Sequence, residues 1–229
     1  MAGALDGILV ADFTRVLAGP YATMLLADFG ADVIKVERPP AGDDTRAWGP
    51  PYTADGQATY FQSVNRNKRS VAMDMKDAED RLLARELADR ADVVVHNLRP
   101  GTMERWGLGF EQLSAQRPEL VYCAISGFGS GAGASLPGYD LLAQAVGGLM
   151  SMTGEPGTPT KVGVAIVDVI TGLHANIGIL AALRHRDQTG VGQLVEVDLL
   201  TSLLSSLVNH ASAYVTGVNL PVDGGYTAK

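Results

Sequence analysis

Six short runs set the limits on how this chain can fold: GILVAD (7–12), DVIKVE (32–37), SVAM (70–73), DVVVH (92–96), VYCAIS (121–126) and QLVEVD (193–198). Most are apolar on successive residues and rich in β-branched side chains. That is the pattern of strands covered on both faces, not of strands with one face in water. Segments of helical character separate them. Pro20 suits a first helical position, and the helix it opens stops at Gly30. Asp77 suits an N-cap for a helix running to Arg90, with Leu82, Leu83, Leu87 and Ala91 as its apolar stripe. Further helices are expected over 58–64, 100–106, 110–116, 139–150, 169–186 and 199–215. Strands alternating with helices predict a doubly wound α/β domain with a mostly parallel sheet over residues 1–200. Residues 201–229 are expected to supply a helix and the start of a linker.

In such a sheet, ligands sit beyond the carboxyl ends of the strands. The polar loops 14–18, 38–45, 97–101 and 127–138 fall there. The Pro-, Gly- and Asp-rich segment 38–57 is long for a compact domain, and such loops are often functional. Composition narrows the partners. The 229 residues are 46% hydrophobic and 19% charged, enough to bury a sizeable core. A net charge of −7 argues against a general nucleic-acid binder but leaves room for a local basic pocket. The single cysteine, Cys123, lies in an apolar run and is expected to be a small buried hydrophobe. No Cys/His spacing suits zinc, so no metal is expected. The stretch 164–183 comes nearest to a membrane span, but Asp168, His174 and Asn176 interrupt it. The start, MAGALDG, lacks a basic segment leading into an apolar run. The expectation is a cytoplasmic protein with no membrane association.

Several residues stand out chemically. Asp168 lies inside the apolar run 162–171, where a carboxylate is costly unless hydrogen-bonded. It is either the N-cap of the helix that follows or a reactive group kept dry, and the two roles are compatible. A helix N-terminus would keep it ionised, and an ionised carboxylate with little water around it is a usable nucleophile. Asp140 reads as a helix cap, with a second catalytic acid as the competing use. Arg15 precedes a helix start and could hold a phosphate or lie free in solvent. Arg38 precedes a proline at a strand end. Its planar fork suits phosphate, although a salt bridge to Glu37 or a nearby Asp is the competing use. The cluster Asn65–Arg69 is either a solvated basic face or a site for a multiply charged nucleotide. Asn97–Gly101 with Arg105 again combines a helix start with arginine. The glycines of SGFGSGAG (126–133) fail as a dinucleotide fingerprint, because Ala132 stands where the third glycine should be and the loop follows the wrong strand. None of His96, His174, His185 and His210 is assigned a catalytic role.

The motifs ADFTRVLAGPYATMLLADFGADVIKVERP, NRNKRSVAMDMK, PGYDLLAQAVGGLMSMTG, TKVG and VDVITGLHANIGILAALRHRDQTGVGQ occur in that order. They resemble the class III coenzyme A-transferases of the CaiB/BaiF type, a family that also holds α-methylacyl-CoA racemases. The resemblance covers residues 5–200. It implies a Rossmann-like large domain and coenzyme A bound as an acyl-CoA substrate, with no metal. It makes Asp168 the acyl-accepting carboxylate. It places Arg15, Val16, Leu17, Ala18, Arg38, Met73, Met75, Lys76, Asn97, Leu98 and Arg105 at the coenzyme.

Tyr139 matches a position held by a histidine base in the racemases. A phenol is a poor base at neutral pH but a good hydrogen-bond donor, so tyrosine favours the transferases and joins Asp168 in the catalytic set. The implied function is movement of coenzyme A between an acyl-CoA and a free carboxylic acid. A racemase-like isomerase and a non-catalytic acyl-CoA-binding fragment are the alternatives. Family chains are longer, carry a second, smaller domain and form interlocked homodimers. This chain is therefore expected to match the large domain and the start of the linker.

Overall fold

The computed structural model of the protein describes residues 3–211. Six strands form one all-parallel sheet: β1 Leu9–Phe13, β2 Asp32–Glu37, β3 Lys68–Ala72, β4 Val93–His96, β5 Val121–Ser126 and β6 Leu194–Asp198, in the order β3-β2-β1-β4-β5-β6. The order reverses between β1 and β4, and loops from the two halves diverge there to leave a crevice. Register is fixed by β-branched pairs such as Val10 with Val33 and Val10 with Val93.

Helices cover both faces. α1 (Ala18–Asp28) and α8 (Ile166–Thr189) lie on one. Their Ala22, Leu26, Ala175 and Ile179 share a core with Val33, Val93, Val95, Val121 and Cys123. α3 (Ala78–Arg90), α4 (Thr102–Arg105) and α5 (Phe110–Ser114) cover the other, where Ala84, Met103, Leu108 and Leu113 meet Val94, Leu120 and Tyr122. Neighbouring strand residues thus bury into opposite layers, as their unbroken apolar runs require. Cys123 is fully buried, and burial pushes its thiol up to about 12. α8 is long and apolar enough to span a bilayer by length and composition, and its inner side lies in this core. At Gly172, a Cβ would come within 2.8 Å of the Ala18 carbonyl, so only glycine lets α8 approach α1 this closely.

Several expectations about the elements change. Asp77 does cap α3, accepting from the amides of Glu79 and Asp80. The stripe holds in part: Ala91 is buried and Leu87 packs against the core beside Ala84 and Ala88, while Leu82 is 71% exposed and Leu83 is also exposed. Pro20 is the third residue of α1, not the first. The helix expected over 139–150 is two: α6 (Asp140–Val146) and α7 (Leu149–Thr153). They are separated where Gly148 takes φ +82°, which a continuing helix cannot hold. α8 begins at Ile166, three residues before the expected start. Two further α-helices, α2 (Thr59–Asn65) and α9 (Leu199–Ala211), and a 3-10 turn at Asp44–Ala47 complete the described chain. Leu199 and Leu203 of α9 are in the core. The remainder of the expected helix to 215 and the turn-rich tail 217–229 lie outside the described residues.

Candidate active site

A cleft of about 470 Å³ opens at the carboxyl ends of β1 to β4. Phe13, Val36, Met73 and Leu98 form its apolar floor where those strands end, and Trp106 closes one side. Arg15, Arg38 and Lys76 supply positive charge, and the segment Pro39–Ala41 forms a wall. Six residues singled out in the sequence line this cleft: Arg15, Arg38, Met73, Met75, Lys76 and Leu98. Arg38 also pairs with Asp44, so its ion-pair and cleft-lining positions coexist. Cations above an apolar, sulfur-rich floor suit a flat base carrying several phosphates. Asp74 and Glu37 also line the cleft, but Glu37 is already neutralised. Burial works to raise its carboxyl, and a fork of two 2.7 Å bonds from Arg46, the Ser70 hydroxyl and the Asp43 amide outweigh burial and hold it near about 2.

Asn97 does not line the cleft. It positions Arg15, accepting from the Arg15 amide at 2.8 Å and donating to the Arg15 carbonyl at 2.6 Å. Leu17 and Ala18 are buried at the start of α1. Arg105 holds the Thr102 hydroxyl in α4 at 3.0 Å. The basic cluster 65–69 does not line the cleft: exposed Arg66 pairs with Asp28, exposed Arg69 with Asp32, and Lys68 is buried against Asp12. Acidic partners from α1, β1 and β2 meet these cations, which the local sequence could not show.

Asp168 lies in the first turn of α8 but is not its cap. Asp140 is, from another helix: its Oδ1 accepts from the amides of Val167 at 2.7 Å and Asp168 at 3.2 Å. Gln144, one turn along α6, donates to Asp140 and accepts from the Val162 amide at 2.8 Å. Asp140 therefore caps α8 and not its own helix, and it takes up the amides that would have steadied Asp168. The half-buried Asp168 carboxyl is raised from 3.8 to about 7, by burial first and by the Asp140 charge second. This overturns the expectation that the helix start keeps Asp168 fully ionised. Tyr139, immediately before Asp140, is 63% exposed at the N-cap of α6.

Sequence reasoning missed Tyr60, Trp106 and Asp43. The Tyr60 phenol is pushed up to about 12 by burial and then by the charges of Asp168, Asp140 and Asp43, which places it among them. No motif marks any of the three, because each comes to the site through folding of the long segments around it. One loop joins the cleft to the carboxylates. Arg15 lines the cleft, while Val16 packs in a small cluster with Tyr60, Ala165 and Val169, the last two flanking Asp168 in sequence. Among the described residues, no group of three or more His, Cys, Asp or Glu is placed to hold a metal ion.

A family model described as CoA-transferase family III matches residues 5–228. The chain is 47% identical over 215 residues to a mouse (Mus musculus) protein named succinyl-CoA:glutarate CoA-transferase, covering 93% of this chain and 49% of the relative. It is 48% identical over 213 residues to a succinyl-CoA:mesaconate CoA-transferase of Haloarcula hispanica, covering 89% and 53%. A crystal structure of a CaiB/BaiF family protein from Brucella suis superimposes with a TM-score of 0.89 at 45% identity, covering 93% of this chain and 58% of that one. The chain thus spans about half the length of the curated relatives it matches. On these matches, the chain belongs to family III of the CoA-transferases.

Proposed function

We propose that the protein moves coenzyme A between an acyl-CoA and a free carboxylic acid, with Asp168 as the acyl acceptor. One observation supports this: the Asp168 carboxyl, raised to about 7 by burial, lies in the first turn of α8, whose Ala165 and Val169 pack on the same small cluster as Val16, the neighbour of Arg15 in the cationic cleft. The cleft suits the nucleotide of the coenzyme, with Arg15, Arg38 and Lys76 at the phosphates and Met73, Met75, Leu98 and Trp106 around the base. Asn97 orients Arg15, and Val16 to Ala18 lead the thioester arm toward α8. Relatives named for succinate, glutarate and mesaconate transfer point to short dicarboxylic acids as the acids exchanged.

In the reaction, ionised Asp168 attacks the thioester carbonyl. The carbon–sulfur bond breaks, leaving an aspartyl mixed anhydride and coenzyme A thiolate. The thiolate attacks the aspartyl carbonyl, releasing the donor acid and forming an aspartyl-CoA thioester. The incoming carboxylate attacks that thioester, and the same steps reverse to give the new acyl-CoA and free Asp168. The Val167 and Asp168 amides are engaged by Asp140, so the oxyanions are left to other backbone amides of the site. A carboxyl raised to about 7 is a stronger nucleophile when ionised than an ordinary carboxylate and still ionises in the neutral range. Exposed Tyr139 serves as a hydrogen-bond donor to substrate. Exposed apolar side chains on α6 and α8, such as Val146 and Ile177, support a homodimer.

The test incubates the full chain with succinyl-CoA and a panel of carboxylic acids in D2O, followed by mass spectrometry. New acyl-CoA species, and an adduct on Asp168 that is lost in Asp168→Ala, are the expected result. Deuterium at the α-carbon without acyl exchange would replace the reading with an isomerase. Coenzyme A binding with neither signal would leave a binding module.

A further inference from the structure

The structure buries four charges the transfer reaction does not use. Lys35 is 1% and Asp43 3% exposed, and they pair at 2.9 Å. Lys68 pairs with fully buried Asp12 at 3.2 Å. Buried pairs are weak evidence for stability, since well-packed apolar residues of similar size often do as well or better. Their value lies in the geometry they dictate. Lys35 also donates to the Thr14 carbonyl at 2.8 Å, and Asp12 accepts from the Thr14 amide at 2.9 Å. The Asp43 carboxylate accepts from the Val16 amide, 3.3 Å to each oxygen, and from the Thr45 amide and hydroxyl at 3.0 and 2.8 Å. With Asn97 on the Arg15 amide and carbonyl, side chains hold five backbone polar groups in a row: the Thr14 amide and carbonyl, the Arg15 amide and carbonyl, and the Val16 amide.

The residue so held is in an unusual state. Val16 has φ +68°, a left-handed conformation that a β-branched side chain disfavours strongly. Such outliers persist only where their surroundings over-determine them. Val16 packs against the same small buried cluster, Leu17, Met24 and Val64, as Ala165 and Val169 at the start of α8, and Asp43 follows the cleft wall Pro39–Ala41 by two residues. We propose that Asp43, clamped by Lys35, is a positioning residue: it holds Val16 in its left-handed turn and so fixes the cleft wall and the start of α8 in one geometry. This rests on the transferase reading for its kinetic consequence and on the structure alone for its conformational one.

The test compares the full-length wild type with Asp43→Asn and with the charge-free pair Lys35→Met/Asp43→Leu, which avoids leaving a lone buried lysine. Coenzyme A affinity is measured by calorimetry, the single-turnover rate of adduct formation on Asp168 with succinyl-CoA by mass spectrometry, and the Val16 backbone by its Cα and Cβ NMR shifts. The expected result is a folded double variant that binds coenzyme A within about threefold of wild type, forms the adduct at least tenfold more slowly, and loses the left-handed Val16 signature. A purely structural role would weaken binding and rate together. An unchanged rate, or a retained Val16 signature, in the folded double variant overturns the proposal. If wild type itself forms no adduct, the transferase reading fails, and the Val16 signature alone then decides this one.

Discussion

Replacing Asp168 by Asn should stabilise the fold at the pH where the protein works, which is the reverse of what losing a conserving hydrogen bond or charge usually does. The Asp168 carboxyl goes from 3.8 to about 7 on folding, through burial and then the neighbouring Asp140 charge. A raised carboxyl contributes stability that is fully present below its unfolded value, near 4, and is lost as pH rises through about 7. At ~1.36 kcal/mol for each pH interval of one, the full cost of ionising it in the fold is roughly 4 kcal/mol. Solvent reaches part of the half-buried side chain, so about 2 kcal/mol is the working figure. Asn keeps the shape and carries no charge at any pH. The assay is urea unfolding of wild type and Asp168→Asn at pH 4 and pH 8. The variant should gain about 2 kcal/mol on wild type between those two pH values, with unchanged m-values. The same difference at both pH values would refute the argument, because Asp168 would then titrate alike folded and unfolded. A gain at pH 8 would show stability given up at a reactive group, as is common at active sites.

Other perturbations bear on the cleft, the carboxylate pair and the α3 face. Asp140→Asn removes the charge beside Asp168 while keeping an oxygen for the two α8 amides. The pH at which Asp168 becomes reactive should fall, read from the rate of adduct formation against pH; an unmoved midpoint would mean burial alone sets it. Arg38→Ala should weaken coenzyme A binding by about tenfold in calorimetry, or ~1.4 kcal/mol. The loss should shrink as salt is raised. On α3, Leu82→Lys should change unfolding free energy by no more than about 0.5 kcal/mol, because the side chain already faces water. Ala84→Leu should cost about 1–3 kcal/mol by overpacking the sheet interface, measured by the same denaturant titration.

The sheet was legible because a parallel strand buried on both faces leaves a strong local mark. DVIKVE and VYCAIS coincide with β2 and β5. The Asp77 cap was legible for the same reason, since it is satisfied by amides two and three residues on. What failed was whatever depends on distant partners. Leu82 and Leu83 have the chemistry of a core face, yet α3 lies so close to the sheet that Ala84 and Ala88 fill that space. Arg66 and Arg69 leave a solvated face and a phosphate site both open until Asp28 and Asp32, far away in sequence, meet them. Asp140 reads as a cap and is one, but for a helix that begins 26 residues later. Asp43 carries only the local mark of a cap, over the Thr45 amide and hydroxyl, while the partners that give it its place, Lys35 and Val16, come from β2 and from the loop after β1.

That last failure bears on how the site is built. Binding a nucleotide needs a broad cationic cleft, which parallel strand ends provide without special effort. Attack on a thioester needs a carboxylate kept from water, and a wet strand-end cleft is the wrong place for one. On the proposed reading, the fold separates the two demands. The cleft stays at the carboxyl ends of β1 to β4, and Asp168 sits where α8 packs against α1 and α2. The separation works only if the loop between them holds one shape, since a misplacement of about 1 Å can cost a hundredfold in rate. Backbone preference would not put Val16 where it is. Asn97, Lys35 and Asp43 hold it there with side-chain bonds from three other segments. A buried Lys–Asp pair is a costly way to stabilise a protein, but its directional bonds can fix a turn that apolar packing, which is indifferent to direction, would let relax.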